Sequence, residues 1–170
     1  MKELFKKYSP KVKSIFEYQG NSCLDLKLTM ENKTHTGIEI KFRKDSANTY
    51  QTHLINDEKF FAICRRADKK WIQAAYLSSI WYNGVIWCSN IFGDYKVEQH
   101  LQNKTTNVSA TTDYKKEWKT CYCYKPEKVF YFCYEWDDEL NKYVPYFSTE
   151  PIDVAQLNRE AEGLTSCQLF

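Results

Sequence analysis

Asp25, Glu39 and Lys41 are the residues whose types and spacing suit chemistry. They lie in Cys23-Leu24-Asp25-Leu26-Lys27-Leu28 and Gly37-Ile38-Glu39-Ile40-Lys41-Phe42, two alternating apolar runs joined by a polar turn. Strand side chains alternate between faces, so Glu39 and Lys41 share one. A turn near Lys33 is expected to set Asp25 opposite Lys41 on that face. Two neighbouring carboxylates repel unless a cation lies between them. Mg2+ prefers oxygen ligands and takes one or two carboxylates, with water and phosphate filling its shell. Such an ion lowers the pKa of a bound water and stabilises charge on phosphate oxygens. An ammonium beside it orients the water or stabilises the transition state. The trio therefore suits hydrolysis of a phosphodiester. Exposed strands also carry Asp, Glu and Lys with no catalytic role. Against that, Ile38, Ile40 and Phe42 make the other face of the second run apolar. A central strand is expected, and charges on a central strand need a reason.

The elements that must position the trio can be read in outline. Ser9-Pro10 resembles a helix cap with proline at the first helical position, and Val12, Ile15 and Phe16 supply an apolar stripe. A helix is expected there, ended by Gly20-Asn21. Strands are expected near 23–30, 37–43, 60–66, 71–78 and 84–88. Residues 99 to 117 are polar and read as a loop. Val129 to Trp136 and Tyr143 to Phe147 read as a hairpin around the acidic turn at Asp137-Asp138. Pro151 to Glu162 reads as a short helix stopped by Gly163.

On these residues, Asp25 … Glu39-Ile40-Lys41 resembles the PD-(D/E)xK nuclease superfamily, which includes type II restriction endonucleases and Holliday-junction resolvases. The match covers roughly residues 12 to 75, with Leu24 where that family often has proline. The resemblance implies an α/β (α+β) fold: a central mixed β-sheet flanked by helices, restriction-endonuclease-like. It implies Asp25, Glu39 and the Ile40 carbonyl as metal ligands and Lys41 as the catalytic lysine. Glu17 is the candidate supporting acid. Mg2+ is the implied cofactor, with Mn2+ able to substitute. In the small blunt-cutting restriction enzymes, a polar stretch after the lysine reads bases. Tyr50, Gln51, His53 and Asn56 have suitable types, since amides and histidine can bond base edges. An ordinary polar loop or helix cap explains the same stretch. Arg43 and Lys44, then Arg65, Arg66, Lys69 and Lys70, are candidates for holding phosphates. A solvated turn explains the second group equally simply.

Length and composition set the frame. The chain has 170 residues, room for one domain with a real core. Its expected parts are a nuclease core over about 12–90, an aromatic-rich β part over about 91–150 and the terminal helix. Hydrophobic content of 43% argues against disorder. A formal net charge of +2 neither demands nor excludes nucleic acid. Seven irregularly spaced cysteines, with no apolar leader and no run long enough to span a membrane, point to free thiols in a reducing cytoplasm. Cys121-Tyr122-Cys123 with Cys133 raises zinc, but the spacing favours strand cysteines.

Two readings of different class follow. One is a metal-dependent DNA endonuclease, of the restriction type or else a junction resolvase or repair nuclease. Cutting both strands of a symmetric site calls for a homodimer. The other is a non-catalytic protein that binds nucleic acid or protein, such as a viral or mobile-element inhibitor, its aromatics serving as the grip. A histidine-based nuclease without metal finds little support, because His35, His53 and His100 form no paired motif.

Overall fold

Alternating side chains dominate this chain, and strands accordingly dominate the structure. The computed structural model describes residues 2–9, 11–20, 22–103 and 116–152. In chain order the elements are α1 (Lys2–Tyr8), β1 (Val12–Glu17), β2 (Leu26–Met30), β3 (His35–Arg43), a 3-10 turn (Ala47–Thr49), β4 (His53–Asn56), α2 (Asp57–Asp68), β5 (Ala74–Trp81), β6 (Val85–Asn90), β7 (Lys96–Asn103), β8 (Lys116–Tyr124), β9 (Lys128–Asp137) and β10 (Lys142–Ser148). Seven strands form a mixed sheet in the order β1-β2-β3-β5-β6-β9-β10, in which only β3 and β5 run parallel. The parallel step needs a crossover, and α2 lies within it. A second, antiparallel sheet has the order β4-β8-β7.

The expected mixed sheet is present, and β3 is central. Flanking of that sheet by helices is not shown. Among the described residues α2 is the one helix longer than two turns, and the small sheet shares its side of the molecule.

Three stretches differ in type from the sequence expectation. The segment after Ser9 is strand β1, not a helix. A register shift between Val12 and Ser14 marks a β-bulge. The bulge adds a residue to the strand's period, so its apolar side chains fall at a helix-like spacing. Residues 60–66 are helix, not strand. Asn56 caps α2 by accepting a hydrogen bond from Lys59 N at 3.2 Å, Asp57 and Glu58 fill the first turn, and Arg65 and Arg66 fill the last. The segment expected as a loop over 99–117 includes parts of β7 and β8, and 104–115 lie outside the described residues. The hairpin at 129–147 is β9 paired with β10. The helix expected over Pro151 to Glu162 lies, from 153 onward, outside the described residues.

The main core lies between the sheets. Leu24, Ile55, Ile63, Ala75, Leu77, Ile91 and Tyr124 are fully buried there around Phe60 and Tyr122. Each large aliphatic contributes roughly 1.5–3 kcal/mol by leaving water. Gly37 belongs to this packing. A Cβ there would meet Leu24 Cδ1 at 2.6 Å, so the absent side chain lets Leu24 lie across β3.

Candidate functional site

Glu39 is the most unusual residue of the fold. It sits mid-β3 with no exposed surface. Its Oε1 receives Lys41 Nζ at 2.7 Å and Lys59 Nζ at 2.5 Å. Its Oε2 is buried with no hydrogen-bond partner. Burial pushes the Glu39 carboxyl pKa up, and the two ammonium groups pull it back without cancelling that effect. Lys41 comes from the same face of β3 two residues on. Lys59 comes from the first turn of α2, which the Asn56 cap fixes. Two ammonium groups around one carboxylate leave a surplus of positive charge, which suits a phosphate.

Asp25 is placed differently from the expectation. The β2–β3 register runs Leu26↔Ile38 and Lys27↔Gly37, which sets Asp25 opposite Glu39 rather than Lys41. The paired ladder stops at Leu26, so β3 beyond Ile38 is not covered by β2. Asp25 closes that end: its N–H donates to Ile38 O at 2.8 Å, and its Oδ2 accepts from Ile40 N at 2.6 Å. Backbone groups two residues apart on a strand face the same edge. The Ile40 carbonyl therefore faces the edge that Asp25 occupies.

Two clefts, each of about 580 Å³, open around β3. Asp25 lines one, together with Glu17, Tyr18, Ile40 and Phe42. Lys41 lines the other, together with Arg43, Tyr50, Asn56, His100 and Gln102. Glu39 and Lys41 are thus brought into contact, while Asp25 joins them through the β3 backbone. The described residues have three buried side-chain atoms without a partner: Glu39 Oε2, Arg43 Nε and Trp81 Nε1. Arg43 and Trp81 line the Lys41 cleft, and Glu39 is bonded to Lys41. Unpaired polar groups concentrated at one cleft are what a site awaiting a polar ligand shows.

The other expected contact residues divide. Tyr50 is exposed, bonds Asp45 Oδ2 at 2.9 Å and stacks on Trp81. Lys44 and Gln51 are exposed beside the same cleft's chain segment. Arg43 is half-buried, its Nη2 donating to Leu54 O at 3.0 Å, and burial lowers its pKa. His53 is an interior residue. It is 1% exposed, with Nδ1 on Ser79 Oγ at 2.9 Å and Nε2 on Ser89 Oγ at 2.8 Å, so no base edge reaches its ring nitrogens. Asn56 spends its Oδ1 on the α2 cap. Arg65, Arg66, Lys69 and Lys70 lie at the C-terminal end of α2 rather than in a strand turn, where they complement the helix dipole. There Arg66 packs over Tyr18 and bonds Ser22 Oγ, and Lys69 lies over Trp71.

Lys59 is the site residue that sequence reasoning missed. The signal was the cap pattern Asn56-Asp57-Glu58-Lys59, which starts a helix at the edge of the core. No helix among the described residues is long and apolar enough to cross a membrane.

No family model matches the chain, and no curated protein does. Among solved structures the chain is similar to Hjc, a Holliday junction resolvase from the archaeal hyperthermophile Archaeoglobus fulgidus. The identity is 11%, the TM-score 0.43, and the match covers 73% of this chain and 79% of that one.

Proposed function

We propose that the protein is a metal-dependent endonuclease that hydrolyses DNA phosphodiester bonds at β3. The observation that carries the reading is Glu39: a wholly buried carboxylate with one oxygen held by Lys41 and Lys59 and the other left without a partner. Leaving a buried charged oxygen unpaired costs more than a surface ion pair returns. A fold that retains it on a strand whose edge a second carboxylate, Asp25, closes does so for a ligand that takes oxygen donors. Glu39 Oε2, Asp25 and the Ile40 carbonyl are an all-oxygen set, which fits Mg2+ or Mn2+. When bound, the ion would polarise the phosphate and lower the pKa of a water.

The chain's own residues supply the rest. Lys59 holds Glu39 Oε1, which would leave Oε2 to take the ion. Lys41, partly exposed in its cleft, is placed to orient the attacking water or to bond the phosphate oxygens. Arg43 and Lys44 continue the positive edge along the strand, and Tyr50 and Gln51 offer polar and stacking contacts beside it. Double-strand cutting of a symmetric site, or resolution of a junction, requires two such sites and hence a homodimer.

The test is incubation of supercoiled plasmid with the purified protein and Mg2+ or Mn2+, beside EDTA, Glu39→Gln and Lys41→Ala. Cleavage that disappears in all three controls supports the reading. Discrete fragments identify a sequence-specific cutter, and cleavage confined to a four-way junction identifies a resolvase. If linear, supercoiled and branched DNA all survive with either metal, the protein is not a DNA nuclease and the binding-protein reading replaces it.

A further inference from the structure

On the other side of the Lys41 cleft, β7 and β8 bring together three potential metal ligands that the nuclease reading does not use. Glu98 and His100 alternate along β7 and so share a face, and Cys123 comes from β8 beside them. The side chains converge: His100 Nε2 lies 3.1 Å from Glu98 Oε2, Cys123 Sγ lies 3.4 Å from His100 Nε2, and Cys123 Sγ lies 3.6 Å from Glu98 Oε2. Among the described residues this is the one group of three such ligands within 4.8 Å of one another.

Those three separations can be compared with a tetrahedral zinc. Zn–N and Zn–O near 2.0–2.2 Å and Zn–S near 2.3 Å place N and O about 3.4 Å apart and sulfur about 3.6 Å from each. The triangle in the protein matches this to within a few tenths of an ångström. The ligand types agree as well. Thiolate and imidazole suit a borderline-soft cation, whereas Mg2+ takes oxygen. The site is half open: Cys123 is buried, while Glu98 and His100 reach solvent. That leaves a route in for the ion and a fourth position for water.

We infer that Glu98, His100 and Cys123 form a zinc-binding site that bridges β7 and β8, separate from Glu39 on β3 and from Asp25 at its edge. The Cys123 thiol directs its proton at Glu98 Oε2. Zinc binding replaces this proton by a Zn–S bond and releases it to solvent, with no change of oxidation state. Cys121, two residues earlier, is engaged by Gln102 Nε2 at 3.1 Å and does not join the group.

The experiment is titration of the metal-stripped full chain with Zn2+, and with Co2+ as the spectroscopic probe. One ion per chain is expected, with a thiolate-to-cobalt charge-transfer band. Cys123→Ser should abolish the band, and His100→Ala or Glu98→Gln should weaken zinc binding by more than about tenfold, since even the outer partners of metal ligands are worth 10–100-fold. The double change Asp25→Asn with Glu39→Gln should leave the band and the zinc stoichiometry intact, which separates this site from the nuclease reading. The inference fails if no stoichiometric binding occurs, or if the band survives Cys123→Ser. Should that buried substitution prevent folding, the two variants with solvent-reaching side chains decide. Full-affinity zinc binding in both overturns the site.

Discussion

Glu39 and His53 are both buried polar residues on the same side of the main sheet, and they are near neighbours. Lys41, bonded to Glu39, pairs in register with Ser79, which bonds His53. His53 has a partner for each ring nitrogen and ring contacts with Trp87 and Tyr124. Glu39 has one oxygen doubly bonded to lysines and the other bonded to nothing. The difference separates two uses of buried polarity. A fully satisfied group specifies packing, and a half-satisfied one holds capacity for a ligand.

The widest separation between the two should appear when each is removed. Glu39→Gln or Lys41→Ala is expected to lower DNA cleavage by about 10²–10³-fold, the range for loss of a positioned charge in an active site. Glu39→Gln should leave the urea midpoint at or above the wild-type value, since it removes a buried charge. His53→Ala should do the opposite. It strands the hydroxyls of Ser79 and Ser89 and opens a cavity, for a loss of about 2–4 kcal/mol in unfolding free energy, read from the urea transition. If both substitutions lower activity and stability alike, the distinction collapses and Glu39 is a packing residue too.

pH sharpens the contrast, because the two groups pull in opposite directions. Burial first, and Arg43 second, depress the His53 pKa from 6.5 to about 3. Its contribution is present above the unfolded value and is lost as pH falls from about 6.5 towards about 3, because only the unfolded chain takes up the proton there. The loss is on the order of a few kcal/mol. The Glu39 pKa is raised from 4.5, chiefly by burial. Its contribution is present below 4.5 and declines as pH rises through the raised value, because the folded state retains the proton. Urea midpoints measured across pH in the absence of metal should show both slopes. Glu39→Gln should remove only the decline on the alkaline side. Because the opposed slopes can cancel where they overlap, the Glu39→Gln profile decides. No fall in its midpoint from about pH 6.5 towards about 3 would contradict the His53 assignment. A profile identical to wild type would contradict that of Glu39.

How far this was legible in the sequence depends on distance along the chain. The β2–β3 hairpin could be read because alternation, the turn at Lys33 and the E-x-K spacing all lie within twenty residues; Lys33 does adopt a positive φ of 65° there. The register could not be read, so Asp25 was expected opposite Lys41 instead of Glu39. Strand β1 was mistaken for a helix because its bulge hides the two-residue period. Helix α2 was mistaken for a strand because Phe60-Phe61-Ala62-Ile63-Cys64 is apolar all round, and a short apolar run does not declare its period. That error also hid Lys59, which meets Glu39 only once α2 packs against β4 and β8. His53 looked like a polar loop residue, since its partners lie 26 and 36 positions away. The Glu98–His100–Cys123 group was invisible for the same reason: two strands supply it, and sequence spacing linked Cys123 to Cys121 and Cys133 instead.

The smallest expected effect tests whether Lys59 belongs to the site or only to the helix. Asn56 accepts from Lys59 N, so Asn56→Ala removes a cap and should cost about 1 kcal/mol, while Asn56→Asp should restore it. The first turn of α2 would loosen, and with it the hold of Lys59 on Glu39 Oε1. Cleavage should then fall by a few-fold, well short of the Lys41→Ala loss, and return with Asn56→Asp. Lys59→Met probes the same contact without touching the cap and should match that modest loss. If cleavage by both variants stays at the wild-type level while Asn56→Ala still destabilises, Lys59 only compensates the buried charge. The catalytic positioning would then rest on Lys41 alone, and Glu39 would resemble His53 more closely than its unpaired oxygen suggests.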